Sequence, residues 1–367
     1  MLANALRDRL SRLWTRGETL PRVEGSEPRL SENDVQQCLR IAFGGTLGFV
    51  LLKWMDWTYG TFFVVNPILL LALVPVLNAS IARQFLASVF LNNAFTLVVQ
   101  GLFGDNPAIM LLLVLGMQLV LFNCMSRGPL FLFGALSVVG MHVQLNFASY
   151  PSTDISDLVW CNFVGGGTTL SIVAMMHYCF PDKAPRQPPS RPAKPPSNRR
   201  HEVLLTTAVA MVVYVMFQVL DLSDSLSAQI ASILILFPMN WFGAIQASIR
   251  RAAGTLVGCN VAVALQLVLM THYSLLWLVA LGLWLSLMLF ARHHVMERVG
   301  SGAGLGAMTT MAILFGQYMS PDKDLIYSSL YRTSSVLVAV CSAMLLIYLM
   351  HALLNRFAAT RLIRSAA

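Results

Sequence analysis

Arg332 stands in an otherwise apolar run, "LYRTSSVLVAVCSAMLLIYLM", five residues past Tyr327, or about 7 Å along a helix. A guanidinium suits a carboxylate, because its planar fork donates two parallel hydrogen bonds. That carboxylate is either an acid of this chain, such as Asp154 or Asp157, or the acid group of a bound anion. The competing reading is that the side chain snorkels back to the nearer surface. Three further side chains can carry a proton: Asp56, three residues after Lys53; Asp157, at the head of an apolar run; and His142, inside one. Each has a plain structural alternative, an ion pair for Lys53 and Asp56 and a hydrogen-bonded packing role for His142. Asn66-Pro67 and Pro238-Met239-Asn240 each combine a missing backbone donor with an amide that can satisfy freed carbonyls. Broken helices facing a cavity are built this way, which makes Asn66 and Asn240 substrate-binding candidates beside Arg332.

Other chemistry is missing from the pattern. The six cysteines, Cys38, Cys124, Cys161, Cys179, Cys259 and Cys341, lie scattered in or beside apolar runs without metal-ligand or redox spacing, and read as packing residues. "GSGAGLGA" matches a dinucleotide fingerprint only formally, since it lies within an apolar span and no strand precedes it. No phosphate-binding loop, nucleophile–base pair or metal cluster is visible. The expectation is a protein that is not an enzyme and uses no metal and no cofactor.

The elements that must position these residues follow from composition. Of the 367 residues, 56% are hydrophobic and only 11% charged, with a mean hydropathy of +0.66. Such a chain cannot solvate a globular surface, so its solvent is a bilayer. Runs near the ~20 residues that cross hydrocarbon occur at 38–56, 60–78, 84–104, 106–125, 127–147, 157–179, 203–220, 227–246, 252–271, 274–290, 300–319 and 329–353. "GDN" and "SRG" predict tight hairpins between the third, fourth and fifth spans. With the N-terminus inside, the cytoplasmic segments and their edges hold all of the 25 lysines and arginines except Lys53, Lys323 and Arg332. The predicted outer loops carry acids instead. The formal net charge of +8 therefore belongs to the inner face and implies anionic lipid as a partner, with no nucleic acid. The opening "LANALRDRLSRLW" spaces leucines as an amphipathic surface helix would.

The proline-rich basic stretch at 181–202 predicts an extended cytoplasmic linker that divides the spans six and six. At an offset of 168, Ser80, Ile81 and Arg83 meet Ser248, Ile249 and Arg251, Asn92 meets Asn260, and Tyr150 meets Tyr318. The expected fold is all-α: about twelve transmembrane helices as two parallel six-helix repeats, at 38–180 and 203–353. A polar segment (1–37) and a tail (354–367) flank them, and both termini are cytoplasmic.

"RRAAGTLVG", in which Arg251, Gly254, Thr255 and Gly258 open a span, resembles the R-x-x-G-T-x-x-G signature of the fusaric acid resistance and aromatic acid exporter family. "LRIAFGGTLGFVLL" is similar to that family's opening helix, whereas "RQFLASVF" departs from the signature in the first half. Gly254 and Gly258 also leave two bare patches on one helix face, suited to close helix packing. The short linker stands where many members carry a large cytoplasmic domain. The resemblance implies a proton-driven exporter of small organic acids or toxic aromatics in the bacterial inner membrane, working with a periplasmic adaptor of the membrane-fusion type. A homo-oligomer is compatible with it. Two other readings are a passive anion channel and a non-transporting scaffold for an adaptor.

Overall fold

The computed structural model describes residues 30–362 apart from 58, 152, 187–193, 221–225, 270–271, 273–274, 299, 301 and 319–324. The amphipathic helix expected near the N-terminus, the middle of the proline-rich linker and the acids Asp221, Asp224, Asp322 and Asp324 lie outside the described residues.

Among the described residues every regular element is a helix. In order, the helices are α1 (Glu32–Met55), α2 (Thr61–Leu73), α3 (Ala79–Phe103), α4 (Pro107–Ser126), α5 (Phe131–Ala148), α6 (Ile155–Cys179), α7 (Pro196–Val219), α8 (Leu226–Leu234), α9 (Trp241–Leu269), α10 (Leu276–Glu297), α11 (Ala303–Tyr318) and α12 (Leu325–Leu354). Nine of them are long and apolar enough to cross a membrane; α2, α8 and α11 are shorter. The chain thus has the makeup of a multi-pass membrane protein. Exposed Leu102, Leu112, Val268, Trp277, Leu285 and Leu330 clothe its outside, as lipid-facing side chains do.

Several boundaries differ from the sequence expectation. α1 begins six residues early because Glu32 and Asp34 complement the positive end of the helix dipole. α7 starts at Pro196, since proline at the first helical position loses no intrahelical bond, so the last residues of the expected linker are helical. The expected span at 227–246 is really two elements: α8 stops at Leu234, a turn containing Pro238 and left-handed Met239 follows, and α9 starts at Trp241. α2 likewise stops at Leu73, because Val74 precedes Pro75 and is forced into extended backbone.

Packing neighbours are specific. α1 packs on α2 and α6, α2 on α6, α3 on α5 and α6, and α4 on α5. Further along, α7 packs on α8 and α12, α8 on α12, α9 on α11 and α12, and α10 on α11. Between these two sets, α1 meets α10, α4 meets α7, α2 meets α11 and α5 meets α8. Close approach of α1 and α2 depends on Gly48, where any Cβ would strike the Phe63 carbonyl.

Candidate functional site

The motif helix α9 is held against α11 by its glycines. A Cβ on Gly254 would strike the Ala303 carbonyl, and one on Gly258 would come to 3.0 Å from the Ala307 carbonyl. This contact presses Gly306 against the Arg251 backbone and seals the Arg251 side chain at 2% exposure. Its Nε and Nη1 are buried without a hydrogen-bond partner among the described residues. Arg332, on α12, is also buried, and its charge acts on both Arg251 and Cys259 of α9. Thr255 is buried on the same helix as Arg251, and one turn before Arg332 the buried hydroxyl of Ser329 lacks a partner among the described residues. The charge of Arg332 thus reaches a guanidinium that the sequence placed at the opposite face of the membrane. A buried like-charged pair calls for an anion or for acids close by.

A second polar cluster fills the first six helices. Thr96 donates to Gln144 (2.9 Å), Gln144 donates to Asn93 (2.6 Å), and Asn162 donates to the same Asn93 oxygen (2.7 Å). Beside it lies a cavity of about 50 Å³ between α2, α3, α5, α6 and α8. Rings of Phe62, Phe85 and Phe147 and amides of Asn66, Asn92 and Asn162 line it. At roughly 10–15 Å³ of such space per water, it has room for only a few waters, so the cavity is narrow in this conformation. Gly140 makes the geometry possible, since a side chain there would displace the Asn92 amide.

At the end where α1 starts, the early stop of α2 leaves carbonyls that α2 itself cannot satisfy. His294 of α10 reaches the Ala72 carbonyl at 3.1 Å. Arg40, 1% exposed, donates to the Pro75 carbonyl at 3.1 Å and pairs with Asp182 at the start of the linker. His177 of α6 lies 3.4 Å from that same carbonyl. The linker's first residues are fastened here too: Asn33 accepts from the Lys183 amide at 2.7 Å, and Arg186 donates to Gln37 at 2.7 Å. Near the start of α7 and the end of α12, His201 and His351 meet at 3.0 Å, and Trp241 stacks on His351.

The remaining candidates are dispersed. Asn66 faces the cavity, one residue before Pro67 within α2. Asn240 is exposed; its oxygen accepts from the Gly243 amide at 2.7 Å and its amide donates to the Pro238 carbonyl, so it caps α9. Asp56 is exposed at the end of α1, with positive φ, and Lys53 lies over the Phe49 ring. Asp157 is half-buried in the first turn of α6, where the Asp154 carboxylate caps the amides of Ser156 and Asp157. His142 is fully buried in α5. Nothing in the structure gathers Asp56, Asp157 and His142 into one site. Sequence reasoning missed Arg40, counted with the inner positive charges, and the amides Asn93, Gln118, Gln144 and Gln229. Their signal was available: "LNNAFT" and "MHVQLN" put several polar residues inside apolar runs.

A family model described as a protein of unknown function (DUF2955) matches residues 37–176, from the first turns of α1 to near the end of α6. No curated protein and no solved structure matches the chain. The matched family is uncharacterised and covers the half without the exporter-like motif, so the likeness to aromatic acid exporters stays a resemblance.

Proposed function

We propose that the chain is a secondary carrier for small organic anions, aromatic acids included, with its path between two six-helix halves. The observation that carries this reading is the buried Arg251–Arg332 pair. A cation near the middle of a membrane helix costs about 3 kcal/mol, and the charge of Arg332 adds repulsion at Arg251. A planar carboxylate between them would meet the idle Nε and Nη1 of Arg251 with charge-assisted hydrogen bonds.

The halves are α1 to α6 and α7 to α12. In support, each strong neighbour pair of the first set has its counterpart six helices on: α3–α5 with α9–α11, α2–α6 with α8–α12, α4–α5 with α10–α11. Contacts between the sets follow the same rule, α1–α10 with α7–α4 and α2–α11 with α8–α5. An even number of crossings per half makes the repeat parallel, about an axis along the membrane normal. The distribution of basic residues puts both termini and the linker in the cytoplasm. By the resemblance, the membrane is the bacterial inner membrane, the driving force is the proton gradient and the outer acidic loops receive a periplasmic adaptor.

The test is flux of radiolabelled benzoate from proteoliposomes holding the purified chain. Protein-dependent flux that falls at least about tenfold in Arg332→Ala, roughly the loss of one charge-assisted hydrogen bond, supports the reading, given an unchanged gel-filtration profile. Equal flux in wild type and variant removes Arg332 from the path.

A further inference from the structure

One buried cluster joins the two halves without using either arginine. His142 of α5 is fully buried, with Nε2 3.2 Å from the Gln118 amide nitrogen of α4 and Nδ1 3.5 Å from the Gln229 amide nitrogen of α8. Tyr214 of α7 packs against the ring at 5.8 Å in a T-shaped contact. The carbonyl oxygens of both glutamines and the Tyr214 hydroxyl are buried with no hydrogen-bond partner among the described residues. A neutral imidazole offers one N–H and one lone pair, so it cannot accept from two amide NH2 groups at once. One glutamine must therefore turn its carbonyl to the ring, and amide orientation is free to do so. With both carbonyls turned inward, the same cradle fits an imidazolium that donates from both nitrogens. The hydrogen-bonding groups of the site suit either protonation state after amide rotation alone; balancing the charge is a separate requirement.

The groups facing the ring are Gln118 from α4, Gln229 from α8 and Tyr214 from α7, and only Tyr214 among them is titratable. α3 meets α5 elsewhere, through Thr96 and Asn93 on Gln144, and α6 through Asn162 on Asn93. No charged side chain among the described residues acts on the ring. An imidazolium here thus needs water or a counter-ion to balance its charge, and the closed packing supplies neither. At the offset of 168, His142 corresponds to Thr310 and Gln229 to Thr61, so the equivalent α2–α11 contact carries hydroxyls in place of the titratable ring.

We propose that the Gln118–His142–Gln229 cradle is the proton-binding site of the carrier, neutral while the halves are closed and protonated when α7 and α8 part from α4 and α5. The proton adds from the aqueous phase to the ring's lone pair and leaves to water as imidazole is regenerated; no other bond changes. This inference rests on the carrier reading proposed above.

The experiment follows opening directly and needs no substrate. Ile230→Cys, on α8 at the cavity, is introduced into a chain whose six cysteines are replaced, and its reaction with a water-soluble methanethiosulfonate is timed in membrane vesicles. Rates are read as the ratio to the same cysteine variant carrying His142→Gln, which keeps a hydrogen-bonding amide but binds no proton; the ratio cancels thiol ionisation. The ratio should rise several-fold between pH 7.5 and pH 5.5, values chosen to bracket the usual range of about 6.5 for imidazole. A flat ratio overturns the proposal. Gln229→Leu retains the histidine and removes one acceptor of the imidazolium, so it should move the response to lower pH; an unmoved response overturns the cradle. A pH-dependent ratio without benzoate flux would sink the anion-carrier reading alone, and flux with a flat ratio would sink this one alone.

Discussion

Arg251 costs the fold stability. It is sealed by the α9–α11 contact, its charge is opposed by Arg332, and two of its nitrogens idle. Replacing a buried charge of this kind with an apolar side chain of similar volume is often neutral or stabilising by about 1–4 kcal/mol. Arg251→Met should therefore raise the unfolding temperature in detergent while abolishing benzoate flux; a lowered temperature would mean that the guanidinium is structurally satisfied. Arg40 is the opposite case. It joins Asp182, the Pro75 carbonyl and the Gln36 carbonyl, and its removal leaves Asp182 with Arg186 at 3.5 Å and the Pro75 carbonyl with His177 at 3.4 Å as their remaining, longer contacts. Arg40→Ala should destabilise by about 2 kcal/mol, a buried-pair loss discounted because the Asp182 side chain keeps 17% exposure. An unfolding curve superimposable on wild type would contradict this. Of these residues only Arg332 was legible as unusual, because it interrupts an apolar run. Arg251 and Arg40 look like boundary charges in sequence, and the helices that bury them are remote along the chain.

At the scale of elements, α9 shows what its glycines do. Since a Gly254 side chain would meet the Ala303 backbone, which cannot rotate away, Gly254→Leu should cost about 2 kcal/mol or more, in the range of overpacked cores. Thermal unfolding reads this, and no change would mean that α11 gives way. Asn240→Ala should cost about 1 kcal/mol, as a lost helix cap does, and leave benzoate flux unchanged. A variant that folds but loses flux would return Asn240 to the transport path. The existence of twelve helices was legible from apolar runs and turn residues. The breaks after α2 and α8 were less so: Pro75 and Pro238 announce them, but what makes them tolerable is not local. The Ala72 carbonyl is satisfied by His294, 222 residues away, a pairing no window of sequence contains.

For the whole molecule, the pairing of helices across the two sets describes two interfaces, α1 and α2 against α10 and α11, and α4 and α5 against α7 and α8. A carrier alternates access by rocking such halves about a site between them. The weak periodic identity at an offset of 168 is what suggests the proposed repeat, whereas the chemical difference between the interfaces, a histidine in one and threonines in the other, emerges only once partners are known. Epitope tags in the linker and at the C-terminus should be reached from the same side of intact membranes; access from opposite sides would break the parallel arrangement. The most direct measurement of the account is accumulation of labelled benzoate in proteoliposomes under an imposed pH gradient. The account predicts uphill movement faster than in protein-free liposomes, collapsing when a protonophore removes the gradient, and movement no different from that in protein-free liposomes would contradict it.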